Sequence, residues 1–182
     1  LWVMNLFYCT TNRSFGWLKI TSTSRNSYLS LHSFPMTNTQ THKNYNLLML
    51  SGDSSIARGL DGAFHQMLGR FSQYWQRIDI LTPSAPDAKS CTIHDNVHVH
   101  PATHHRLLQP FFIKQKGEAL FNERVYHLVT SHDFGFFYNG IGASWLLSGK
   151  DIPLVSEIHH IEGYPIASTN REKLWRLAAT QY

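Results

Sequence analysis

"YHLVTSHDFGFFYNGIGASWLLSGKDIPLVSEIHH" (residues 126–160) holds a strand, a helix and a second strand with little chain between them. "YHLVTSHD" (126–133) is a short apolar run that ends in polar residues, the pattern of a buried strand. "GIGASWLLSGK" reads as a helix, and Pro153 opens "PLVSEIHH" (153–160), a strand that runs into His159 and His160. Two such strands joined by a helix make a parallel pair with a right-handed crossover. An imidazole at the carboxyl end of a strand lies where open α/β sheets bind their ligands.

The same alternation extends upstream. "NLLMLSG" (46–52) is a strand apolar on both faces, stopped by Gly52. Phe64, Met67, Leu68, Phe71 and Trp75 then recur at helical spacing. "RIDILTP" (77–83) and "NVHVHP" (96–101) are the second and third strands, with a polar loop between them. "QPFFIKQKGEALFNERV" reads as a helix, against the preference of Gly117. "STNREKLWRLAATQY" closes the chain as a helix capped by Ser168 or Thr169. The expected architecture is α/β: a Rossmann-like parallel sheet over residues 45–182, with helices on both faces.

Composition narrows the class. At 182 residues the chain suffices for one domain with a full core. The net charge of +4 comes from scattered Lys and Arg with no basic run, which argues against a nucleic-acid binder. It suits a phosphate-bearing partner or peripheral contact with an anionic membrane surface. Cys9 and Cys91 are far apart and imply neither a disulfide framework nor a cysteine zinc site, so a reducing, cytoplasmic setting is expected. No apolar run approaches the ~20 residues that span a bilayer, and the opening residues make a poor signal peptide. Residues 1–44 are expected to be flexible or non-native. Residues 21–44 are rich in Ser, Thr and Asn, and Met36 looks like a natural start.

Four places can carry chemistry. Gly59 and Gly62 precede the first helix, where bare N–H groups and the helix dipole can meet an anion. Their spacing fits neither a dinucleotide fingerprint nor a P-loop. His132 and Asp133 end the fourth strand, and Gly140 and Gly142 open the following helix; an Asp in that position is often only a cap. "HVHPATHH" offers His98, His100, His104 and His105, but the spacing matches no zinc signature and no metal site is assigned. His159 is either a histidine satisfied at its strand end or a group facing a ligand.

Residues 46–182 resemble the amino-terminal domain of family 4 retaining glycosyltransferases, in which two Rossmann-like domains face each other across a cleft. The resemblance rests on "LMLSGDSSIARGLDGAF", on "RIDILTP" and above all on residues 129–160. There a strand ends in Asp133, a Gly-x-x-Ala helix carries Gly140 and Ala143, and a strand led by Pro153 ends in His159. The resemblance implies a hexosyltransferase that moves a sugar from a nucleotide-sugar donor to a carbohydrate or lipid-linked acceptor with retention. This chain would be its acceptor-side half. His159 would be the active-site histidine, since strand alternation turns His160 to the other face. Gly59, Gly62, Asp133 and Gly140 would lie at the donor phosphates and substrate. No cofactor is implied beyond the nucleotide sugar as co-substrate, and no obligatory metal. The donor-gripping second domain, with its paired glutamates, is expected beyond Tyr182, so this part alone should not turn over. The alternatives are a stand-alone sugar- or phosphate-binding domain and, third, a histidine-based metal enzyme.

Overall fold

The structure, a computed structural model, describes residues 7–10, 44–134, 137–160 and 168–180. In chain order the strands are β1 (Phe7–Thr10), β2 (Asn46–Leu50), β3 (Arg77–Thr82), β4 (Cys91–Ile93), β5 (Val97–Pro101), β6 (Leu128–Phe134) and β7 (Leu154–His160). The helices are α1 (Ala63–Phe71), α2 (Gln109–Glu123), α3 (Tyr138–Leu147) and α4 (Asn170–Thr180). All seven strands form one sheet in the order β1-β7-β6-β2-β3-β5-β4. Its five central strands are parallel, as the alternation of apolar runs and helices predicts. Counted along the chain, those five lie in the Rossmann order, and the direction of winding reverses between β2 and β6.

Burial follows the pleat. Leu47 to Leu50 are at most 1% exposed because both faces of β2 are covered. Leu48 and Leu50 join Leu81, Val129 and Leu154 in a core capped by Ile113 and Leu120 of α2 and Ala143 and Leu146 of α3. Leu47 and Met49 face the other way, into a core with Ile78, Ile80, Val97, Val99 and Leu68 of α1. The sheet therefore has α1 on one face and the pair α2–α3 on the other.

Gly117 has a packing reason that helix propensity cannot reveal. A Cβ there would lie 2.4 Å from Leu146 Cδ2, and a Cβ at Gly142 would lie 2.8 Å from Ile113 Cβ. The two glycines let the helices approach closely, one on each side of the contact. At α4, Thr169 Oγ1 accepts the Glu172 N–H at 3.2 Å, while Glu172 Oε2 accepts the Thr169 N–H at 3.0 Å. That reciprocal capping box selects Thr169 of the two candidate caps.

The two outer strands depart from the sequence-based expectation. β1 falls inside the leading segment assigned to flexibility, yet Phe7–Thr10 pairs antiparallel with Leu154–Glu157. An edge strand needs only one partner and a few residues, so the polar composition around it hides it. β4 lies in the polar loop before β5 and pairs with it antiparallel through a three-residue turn, 94–96, in which His94 and Asp95 have φ of 48° and 65°. Positive φ in a hairpin turn is usually announced by a Gly, and His-Asp-Asn has none.

Candidate functional site

The reversal of winding between β2 and β6 opens a crevice at the carboxyl ends of the strands, the usual ligand position in such sheets. After β2 the chain turns sharply. Ser51 Oγ accepts the Asp53 N–H at 3.0 Å, and Asp53 Oδ1 accepts the Ser55 N–H at 2.7 Å. A 3-10 turn over Ile56–Arg58 then ends at Gly59, whose φ of 71° explains the glycine there. Gly62 is different. Its backbone is extended (φ −152°, ψ −171°) and a Cβ would meet nothing within 4 Å, so the fold itself does not require glycine. A side chain at Gly62 is therefore not crowded by the protein itself. No side chain caps the start of α1. The nearest carboxylate, Asp61, lies 3.4 Å from His65 Nδ1.

At α3 the arrangement is the opposite. Asp133, 2% exposed, accepts the Asn139 N–H at Oδ1 (3.0 Å) and the Gly140 N–H at Oδ2 (2.9 Å). Asp133 and Gly140, both expected at the phosphates or substrate, are thus bonded to each other. A buried carboxylate already fills the place that an anion would take on α3. Asn139 extends the network, donating from Nδ2 to His132 O at 2.7 Å. Gln109, at the start of α2 and 2% exposed, lies beside it with Nε2 3.5 Å from Asn139 Oδ1. Neither amide was singled out by the sequence, because a buried Gln or Asn has no pattern of its own.

β7 does not end as a regular strand. Asp133 is opposite Ile158 and Phe134 is opposite His160, so His159 is one residue too many on its strand. A bulge of this kind re-aims side chains near a strand end. The strict alternation used to choose His159 over His160 breaks at that residue. The side chains of both histidines lie outside the described residues. Just before the bulge, on the α1 side of the sheet, His132 Nδ1 is 3.1 Å from Glu157 Oε2. This pair stands at one end of a shallow cavity of about 240 Å³ over β2, β6 and β7, lined mainly by Met49, Met67, Phe71, Leu128 and Val155. Thr130 also lines it, and its buried Oγ1 has no hydrogen-bond partner among the described residues. Glu157 had no sequence signal, since a lone Glu in a strand reads as solvent-facing.

The strand histidines serve a different cluster, nearer the amino ends of the strands. Asp79, fully buried in β3, accepts from Arg77 Nε (2.7 Å) and Nη2 (3.0 Å), from the Tyr126 hydroxyl (2.6 Å) and from Arg124 Nη1 (3.3 Å). His100 Nε2 lies 2.8 Å from Oδ1, the oxygen that also accepts from Arg77 Nη2. Burial alone would raise the Asp79 pKa, but hydrogen bonds from His100, Arg77 and Tyr126 and the charge of Arg77 outweigh it. They hold the carboxyl far below the usual carboxylate range. The Tyr126 hydroxyl moves up, through burial and then through Asp79. His98, whose pKa burial lowers, has its Nδ1 3.0 Å from Thr92 Oγ1. Among the described residues no group of three or more His, Cys, Asp or Glu is placed to hold a metal ion. No described helix is long and apolar enough to cross a membrane.

Neither family models, curated proteins nor solved structures give a match to this chain.

Proposed function

We propose that this chain is the acceptor-side Rossmann-like half of a retaining glycosyltransferase that moves a hexose from a nucleotide sugar to a carbohydrate or lipid-linked acceptor. One observation carries the proposal. At the carboxyl edge α3 is closed by Asp133, while α1, reached through the Gly59–Gly62 turn, has no side-chain cap. α2 also lacks a side-chain cap but loses an N–H at Pro110 in its first turn, so the first turn of α1 is the natural seat for a donor diphosphate, and its dipole favours that charge. His159, at the end of β7 on the same edge, would stand beside the transferred sugar. As the bond from the sugar to the diphosphate breaks, charge separates between an oxocarbenium-like ring and the leaving phosphate. Oriented N–H groups and close positioning of the acceptor hydroxyl stabilise that state. The sugar nucleotide is the co-substrate. The setting that goes with this reading is cytoplasmic, with peripheral contact at the inner face of the membrane.

The second reading, a sugar- or phosphate-binding domain without catalysis, draws on the same crevice. Gly62→Asp tests both. The extended backbone and open space accept the side chain, and Asp caps a helix as well as any residue, so the melting temperature should hold or rise slightly. The new carboxylate would occupy the N–H groups and repel a diphosphate. Losing one hydrogen bond to a charged group costs about 1.5 kcal/mol or more, roughly tenfold in affinity. Ligand-observed NMR on this chain joined to a donor-binding domain, with a panel of nucleoside-diphosphate sugars and free monosaccharides, should show nucleotide-sugar binding that Gly62→Asp weakens by that factor. Monosaccharide binding alone favours the second reading, and nucleotide-sugar binding untouched by Gly62→Asp moves the phosphate site off α1.

A further inference from the structure

The outer surface of α2 and α3 breaks the usual link between hydrophobicity and burial. α3 has no charged residue at all, and a helix apolar on all sides is normally covered on all sides. Yet Trp145 is 42% exposed. Its ring stands edge-on to Phe111 of α2, 5.1 Å between centroids, and Phe111 is 60% exposed. Leu107 and Leu108, in the 3-10 turn just before α2, are 63% and 47% exposed. Phe111 near the start of α2, the leucines before it and Trp145 in the last turn of α3 make up this outer surface.

Cations prevail around the patch, with Arg106, Lys114 and Lys116 against Glu118, which is exposed one turn beyond Lys114. From Asn96 to Gly117 and again from Phe134 to Lys150 the sequence contains no Asp or Glu. Arg106 lies over the Tyr138 ring, 5.9 Å from its centroid, at the first residue of α3. Trp145 follows two turns later on the same side of that helix. Lys114, exposed, is one turn beyond Phe111 on its face of α2, and Lys116 is half-buried nearby. Protruding aromatic and aliphatic side chains among an excess of cations match the chemistry of a bilayer interface: acyl boundary for the rings, headgroup phosphate for the cations.

We infer that the α2–α3 face docks on an anionic lipid surface, with Leu107, Leu108, Phe111 and Trp145 entering the headgroup boundary and Arg106 and Lys114 meeting lipid phosphates. Lipid docking deepens the peripheral-membrane part of the function proposed above and rests on it only for the side of the membrane. Vesicle binding is read with no sugar present, so its failure leaves the transfer reading untouched, and loss of sugar-nucleotide binding leaves the lipid surface untouched.

The test is sedimentation of the full chain with vesicles of phosphatidylcholine alone or mixed with phosphatidylglycerol, at low and high salt. Strong binding is expected only to the mixed vesicles, weakened by salt. Each cation near an anionic surface strengthens binding about fivefold, so the reversal Lys114→Glu should weaken it about tenfold or more. Phe111→Ser with Trp145→Ser removes buried ring area and should also weaken it by about tenfold or more. All three residues are exposed, and circular dichroism checks that the variants fold. Three results overturn the inference: a wild-type chain that ignores mixed vesicles, binding that both variants retain, or a dimer that Phe111→Ser turns into a monomer. The last would make the face a contact between copies of this chain.

Discussion

Asp79 is a carboxylate without access to water that stays charged because its surroundings were built for the charge. Two arginines, a tyrosine hydroxyl and a histidine converge on its two oxygens. Replacing Asp79 by Ala leaves Arg77 and Arg124 facing each other with no anion between them. Breaking a buried pair on one side costs about 3–5 kcal/mol. Both arginines are about a quarter exposed and can turn to water, so the lower end, about 3 kcal/mol, is the expected loss in denaturant unfolding. The pH dependence has a definite sign. The folded carboxyl has a depressed pKa, so its stabilisation is fully present above the unfolded value of about 3.9. It is lost as pH falls below that value and through the folded one. The stability gap between wild type and Asp79→Asn should therefore narrow as pH falls below about 4. A gap that does not change with acid would mean that hydrogen-bond shape, and not charge, holds the cluster.

The helix pair α2–α3 decides its own geometry through two small residues. Ala is the better helix former by about 1 kcal/mol, so propensity alone predicts that Gly117→Ala and Gly142→Ala stabilise. Packing predicts the reverse, since overpacking a close contact costs about 1–3 kcal/mol. At Gly117 the obstacle is the isobutyl end of Leu146, which can turn; at Gly142 it is Ile113 Cβ, which moves only with its backbone. Gly142→Ala should therefore destabilise more than Gly117→Ala in thermal unfolding, and Leu146→Ala should partly rescue only the latter. Here the limits of the sequence are visible. The parallel strands were legible because each is an apolar run that must be buried on both faces, and β2 and β3 match that reading almost residue for residue. Gly117 was misread as a weakness because its partner, Leu146, lies on another helix. β1 and β4 went unread because short edge strands need no apolar run, and the turn before β5 uses His94 and Asp95 where glycine is usual.

Across the molecule, five central strands deliver their carboxyl ends to one edge, and there the candidate groups divide into those the fold uses and those it leaves. Gly59 makes a turn, and Asp133 with Gly140 closes α3. Among the described residues, the uncapped starts of α1 and α2 and the end of β7 remain. The edge itself was legible, because strand–helix alternation dictates it. The roles along it were not, since a cap and a ligand-binding carboxylate look alike in a sequence. His159 decides the matter. The bulge makes it the extra residue on β7, while His160 continues the ladder opposite Phe134. If His159 serves transfer, then in this chain joined to a donor-binding domain His159→Ala should lower turnover far more than donor affinity, because its interaction grows as the sugar detaches. His160→Ala should cost stability or nothing. Loss of transfer in His160→Ala with His159→Ala still active would mean that the bulge, not simple alternation, sets which ring meets the sugar. Equal and mild effects from both would return the pair to the end of a strand, and leave the N–H groups of α1 to carry the transfer reading alone.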